Sequence, residues 1–302
     1  MKKLMFVILA AMVLVGGLTH RSAAGPVELW VNNNDSNRYE RHTLNPFNPT
    51  LFDSISMADQ ANGITMGGGV VYIADAVDNL QRHDPEAAPG SSLINTYSLP
   101  ATAGEKGLAI GPDGNLYVQT LSGGTMSVQK LNPANGAVLD ASFASYASGG
   151  AYDLIFGANG HLYTSNNPDN LVRHFNASGV FQDSVTVNNS RGLAFGPDGR
   201  LYVASRGDNV AYAFDVDGTG ALINQVTYFS LSNVRDLDFN PVDGHAFAVD
   251  VSNVVEFDEL GNEIGIVTTN VRTRTRIMIT PEPASLALLG LGGLMMIRRR
   301  RA

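Results

Sequence analysis

Gly107-Leu108-Ala109-Ile110-Gly111-Pro112-Asp113-Gly114-Asn115-Leu116-Tyr117-Val118 recurs almost unchanged as Gly192-Leu193-Ala194-Phe195-Gly196-Pro197-Asp198-Gly199-Arg200-Leu201-Tyr202-Val203. Each copy describes two short apolar strands joined by a tight reversal. Pro fixes the entry angle, Asp bonds to its own backbone further on, and Gly supplies the left-handed conformation. Asp153 to Thr164 is a third copy, turning at Gly157-Ala158-Asn159-Gly160; Asp236 to Val249 is a fourth, turning at Asn240-Pro241-Val242-Asp243-Gly244. In a fifth, Gly63 to Ile73, Gly67-Gly68-Gly69 replaces Pro-Asp-Gly, and Leu29-Trp30-Val31 is the second half of a sixth. The aromatic markers Trp30, Tyr72, Tyr117, Tyr163, Tyr202 and Phe247 return about every 40 residues, the period at which propeller blades occur.

Outward from this pair, each unit reads as four strands. After Leu201-Tyr202-Val203-Ala204, Asp208-Asn209 turns into Val210 to Asp215, and Asp217-Gly218-Thr219-Gly220 turns into Leu222 to Phe229. The third-strand pattern recurs at Asn79 to Asp84, Asn170 to Phe175 and Asn253 to Asp258. No uninterrupted amphipathic helical pattern lies between the termini, so the body is all-β. Six such units predict a six-bladed β-propeller. The first unit begins at its second strand, Val27 to Val31, while a segment is left over after Glu263 to Thr268. Ile277-Met278-Ile279-Thr280-Pro281 echoes Leu237-Asp238-Phe239-Asn240-Pro241. The region from Arg274 to Ile279 is therefore expected to pair beside Leu29 to Val31 and close the ring.

These units resemble NHL-type repeats, and Gly192 to Phe229 also resembles blades of the gluconolactonase/senescence-marker-protein family. The resemblance covers most of the body. It implies a propeller, and it raises the activity of that family: hydrolysis of a sugar lactone with a divalent cation held at one channel mouth by carboxylate and amide oxygens. Fold alone does not carry that activity over, because propellers host enzymes, binders and scaffolds.

Both ends read as addresses. Lys2-Lys3 precede an apolar stretch from Leu4 to Leu18, and Ser22-Ala23-Ala24 supplies small residues for signal peptidase. The expectation is a signal helix over 1–24, cleaved after Ala24. At the other end Pro281-Glu282-Pro283 leads into an apolar run from Ala284 to Ile297, closed by Arg298-Arg299-Arg300-Arg301. The run is shorter than the roughly 20 residues that span a bilayer comfortably, and the arginines hold its end on the cytoplasmic side. This tail resembles the PEP-CTERM sorting signal of Gram-negative, exopolysaccharide-producing bacteria. The resemblance implies a short transmembrane helix over 281–302, processing by an exosortase, and delivery to the cell surface or extracellular matrix. The propeller is then 25–280.

The chain has no cysteine, which removes disulfides, thiolate metal sites and cysteine nucleophiles. Its net charge of −8 becomes more negative once the basic ends are set aside. Such a surface repels nucleic acid. Neither a phosphate loop nor a basic-aromatic surface is present, and no motif calls for a cofactor.

Chemistry is sought at the residues that precede each inner strand, where the family resemblance places some metal ligands. They are Asn62, Lys106, Tyr152, Arg191, Arg235 and, more loosely, Arg272. Only Asn62 suits a ligand role, although Asp153 and Asp236 stand one place later. The basic set of Lys106, Arg191, Arg235 and Arg272 suggests a cationic mouth for the carboxylate or sulfate of an anionic polysaccharide, since arginine grips such groups with paired hydrogen bonds. The plainer alternative pairs each cation with an aspartate of a neighbouring blade. Asp215 to Gly220 looks like the start of a calcium loop but lacks the distal glutamate. The histidines show no metal spacing, and no serine is placed by sequence with a His–Asp partner. The reading is an exported, non-catalytic binding or structural module of the envelope or matrix, with a gluconolactonase-like hydrolase or lyase as the alternative.

Overall fold

The computed structural model describes residues 27–33, 37–44, 50–58, 61–75, 77–99, 107–148, 150–269 and 276–280. The expected signal and sorting segments, with Ala24, Pro281, Glu282, Pro283 and the arginines at 298–301, lie outside them. Among the described residues no helix is long and apolar enough to cross a membrane.

Within the described residues, twenty-four strands form six four-stranded antiparallel sheets. Blade B comprises β4 (Ala61–Gly67) to β7 (Leu93–Ser98), with β5 (Val70–Asp75) and β6 (Asn79–His83) between them. Blade C runs from β8 (Leu108–Ile110) to β11 (Val138–Ala147), blade D from β12 (Asp153–Phe156) to β15 (Phe181–Thr186), blade E from β16 (Ser190–Phe195) to β19 (Leu222–Ser230), and blade F from β20 (Asp236–Phe239) to β23 (Glu263–Thr269). Blade A is composite: β24 (Ile277–Thr280) pairs with β1 (Val27–Asn33), which pairs with β2 (Arg38–Leu44) and then β3 (Thr50–Ser56). The register sets Glu28 against Thr280, Leu29 against Ile279, Trp30 against Met278 and Val31 against Ile277. The ring therefore closes as the repeat arithmetic predicts. The clasp is Ile277–Thr280; Arg274 falls outside the described residues.

The repeated motif is legible atom by atom. Asp113 Oδ1 accepts the Asn115 N–H at 3.1 Å and its Oδ2 accepts the Tyr117 hydroxyl at 3.0 Å. Asp198 does the same for Arg200 N–H (3.1 Å) and Tyr202 (2.9 Å). Gly114 and Gly199 take φ of 75° and 81°, which a side chain would strain. A Cβ at Gly111 or Gly196 would meet the Tyr117 or Tyr202 ring. Each tyrosine then reaches an inner-strand aromatic of the next blade: Tyr117 stands 4.7 Å from Phe156, Tyr163 5.8 Å from Phe195 and Tyr202 4.6 Å from Phe239.

Among the described residues, buried apolar side chains accordingly form six clusters, each between two neighbouring blades, rather than one central core. The closing cluster joins Val27, Leu29 and Val31 to Phe247, Val249, Ile277 and Ile279. This arrangement follows from radial sheets: neighbouring blades cover both faces of the inner part of each blade, while outer strands such as β7 and β15 stay largely exposed.

Candidate functional site

Inner strands β24, β4, β8, β12, β16 and β20 surround a cavity of about 270 Å³. Register against the aromatic markers places Gly63, Gly107, Asp153, Gly192, Asp236 and Arg276 at one level. Three blades thus offer glycine there and three offer charge.

The carboxylates are used as staples between blades. Asp153 accepts the N–H of Leu154 at 3.0 Å on its own strand and that of Leu193 at 2.9 Å on the next blade. Asp236 accepts Leu237 N–H at 3.0 Å and Ile277 N–H at 2.9 Å. Two residues further on, Asp238 accepts Phe239 N–H at 2.8 Å and Ile279 N–H at 2.7 Å. Asp236 and Asp238 therefore hold the free edge of the clasp whose other edge pairs with β1. Gly192 makes room for this packing, since its Cβ would overlap the Asp236 carboxylate and stand 2.7 Å from Asp236 Cα.

Arg276, the residue preceding the clasp, crosses the axis. Its Nη1 pairs with Asp153 Oδ2 at 3.2 Å on the opposite blade, and its Nη2 donates to the Tyr152 carbonyl. Its guanidinium carbon lies 4.0 Å from the Tyr152 ring centroid, and that of Arg191 lies 4.6 Å from the same ring. Arg276 and Tyr152 are both buried.

Burial pushes the Asp153 and Asp236 carboxyls up, while the Arg276 charge pulls both back; the Asp153 charge pushes Asp236 further up. Asp238 is pushed up to about 6, again by burial, against the pull of its two N–H donors. The Arg276 guanidinium serves this acidic group, and burial favours the protonated acid.

Of the residues expected at the mouth, Lys106 and Arg272 lie outside the described residues, as does the Asn62 side chain. Arg191 and Arg235 are both buried. Arg191 Nε donates to Asn189 Oδ1 at 3.1 Å, and its carbonyl accepts the Ser165 hydroxyl at 2.5 Å. The Arg235 carbonyl accepts Gly192 N–H at 3.0 Å. Arg276, outside the expected set, reaches an aspartate of the opposing blade. Aligning Ile277 to Pro281 with Leu237 to Pro241 already sets Arg276 beside Asp236 in register, and this was the signal available for it.

A divalent cation fits these residues poorly. The inner-strand carboxylate oxygens already accept N–H groups, and a guanidinium holds the centre of the mouth. Among the described residues no cluster of three or more His, Asp or Glu side chains is arranged to hold a metal. The calcium-like stretch is an ordinary turn: Asp217 Oδ1 accepts Thr219 N–H, Thr219 hydroxyl and Ala221 N–H at 2.8, 2.7 and 3.0 Å. His42, His83 and His174 are buried in strands. One contact that spacing conceals is His161 Nδ1 to His174 Nε2, at 2.7 Å.

No family model and no curated protein matches the sequence. Solved structures do. A protein of unknown function from Bacteroides caccae is 14% identical, with 85% of this chain and 100% of that one covered at a TM-score of 0.65. A gluconolactonase from Xanthomonas campestris is 17% identical over 82% and 89% of the two chains, at 0.58. A chain of a nidogen/laminin complex is 16% identical over 84% and 98%, at 0.63. The chain resembles the gluconolactonase-like six-bladed propellers in fold. At these identities the likeness extends to architecture alone.

Proposed function

We propose that the protein is an exported propeller, non-catalytic at its channel mouth, that serves as a binding or structural module of the cell surface or exopolysaccharide matrix. One observation carries the proposal: Arg276 spans the mouth to Asp153, where a hydrolase of this fold would need oxygen ligands converging on a cation. Asp153 and Asp236 act as fasteners between blades. That a nidogen/laminin complex is among the similar folds agrees with a binding role for such a ring.

Export rests on the signal-like start ending at Ala24 and on the tail of Pro281-Glu282-Pro283, apolar run and arginines. Signal peptidase and an exosortase are the partners in transit, and the membrane is contacted through the tail before processing. For the mature body, the proposed partner is an anionic polysaccharide held by the basic residues around the mouth, Lys106, Arg191, Arg235 and Arg272. The test is retention of the 25–280 body on immobilised acidic glycan, with Arg191→Gln/Arg235→Gln beside it. Retention that falls with salt and with this double change supports the reading. Unchanged retention removes those residues from the site.

The alternative is a gluconolactonase-like hydrolase or lyase. It predicts turnover of a sugar lactone that rises on adding Ca²⁺, Mg²⁺ or Zn²⁺. The proposed module shows no metal-dependent turnover.

A further inference from the structure

A second cavity, of about 170 Å³, lies away from the channel between blades A and B, and Asp53, Gln81, His83, Gly90 and Ser92 are among its lining residues. Gln81 and His83 stand two apart on β6 and so share a face. The hydrogen bonds there run in one direction. Gln81 Nε2 donates to the Ser56 carbonyl of β3 at 3.2 Å, which turns Gln81 Oε1 toward His83 Nε2 at 2.9 Å. That acceptor fixes the tautomer, with Nε2–H donating to Gln81 and the Nδ1 lone pair left for the Ser92 hydroxyl at 3.0 Å. A hydroxyl, a base and a group that orients the base thus line up at a cavity.

We propose that Ser92 is an activated serine, a site of acylation by small activated esters, with His83 as its base and Gln81 as the positioning residue. Ser92 Oγ forms a bond to the acyl carbon and the ester C–O bond breaks. The Oγ proton passes to His83 Nδ1 and on to the departing oxygen. The cavity volume is well above the ~10–15 Å³ of such space that one water needs, which leaves room for an acetyl-sized group. The site stands apart from the channel mouth and does not depend on its reading.

The groups around His83 keep it neutral. Burial pushes it down to about 4, the nearby Arg41 guanidinium adds to this, and Asp53 opposes. Arg41 is itself held by Glu28 at 3.0 Å and Asp53 at 3.6 Å. His83 is therefore unprotonated, with its Nδ1 lone pair available, throughout the neutral range.

The test treats the folded protein with p-nitrophenyl acetate, follows p-nitrophenolate release and maps the acetyl group by peptide mass spectrometry. The expected result is one acetyl on Ser92, none on it in Ser92→Ala, and a rate lower by about 100-fold or more in His83→Gln. Ser91→Ala, whose wild-type hydroxyl bonds the Ala88 carbonyl, should acylate as wild type does. The wild-type rate should rise through about pH 4 and then level, and Gln81→Glu should move that midpoint upward. Acetylation elsewhere, no acetylation of Ser92, or an undiminished rate in a folded His83→Gln would overturn the proposal.

Discussion

Arg276 and Asp153 stand on blades directly opposite one another in the ring, and their side chains meet at 3.2 Å across the mouth. Arg276 immediately precedes the clasp, so the contact that spans the mouth forms only when the ring is closed. Closure and mouth architecture are one structure.

The clasp should dominate stability. Removing 281–302 should leave the melting temperature unchanged, because β24 remains. Removing 276–302 deletes Ile277, Met278 and Ile279 and uncovers the apolar residues they pack against, Leu29, Val31 and Val249 among them. At about 1.5–3 kcal/mol per buried side chain, the melting temperature should fall by more than about 10 °C. Thermal unfolding by circular dichroism of the two truncations checks this.

The paired staples on the clasp give a finer test. Asp236→Ala or Asp238→Ala leaves a buried Ile277 or Ile279 N–H without its acceptor. Each should cost about 1–3 kcal/mol in urea unfolding.

Glycine at the charged level is required by its neighbour. Gly192→Ala drives a methyl into Asp236 and should destabilise by about 1–3 kcal/mol. Gly218→Ala meets nothing within 4 Å and should change stability by about 0.5 kcal/mol or less.

Asp238 gives a pH signature with a definite sign. Its folded value of about 6 lies above the unfolded carboxyl near 3.9. Between these values the folded state binds more protons, so its contribution to stability is greatest below about pH 4 and is lost as pH rises toward 6. Asp238→Asn removes this pH-dependent contribution. The stability difference, variant minus wild type, should shift in the variant's favour by up to about 3 kcal/mol over that window. A pH-independent difference would show that burial does not perturb Asp238.

The ring was legible in sequence because its determinants are local. Gly-Pro-Asp-Gly, the tyrosine four residues after Asp, and the orphan strands at either end all act within a turn or across one blade edge. The mouth was less legible. The basic residues before the inner strands were readable as a set, yet burial directs Arg191 onto Tyr152 and Asn189. Arg276 finds Asp153 through the curvature of the whole ring, which no local pattern carries. His83 and Ser92 meet for a similar reason: a turn returns β7 beside the end of β6, and the pattern of either strand alone does not show it.

The most direct test of the account is a double-mutant cycle on Arg276→Gln and Asp153→Asn, read by urea unfolding. Each single change should be strongly destabilising, and the pair should couple by about 1–3 kcal/mol. Additive effects, within about 0.5 kcal/mol, would contradict a mouth spanned by this pair.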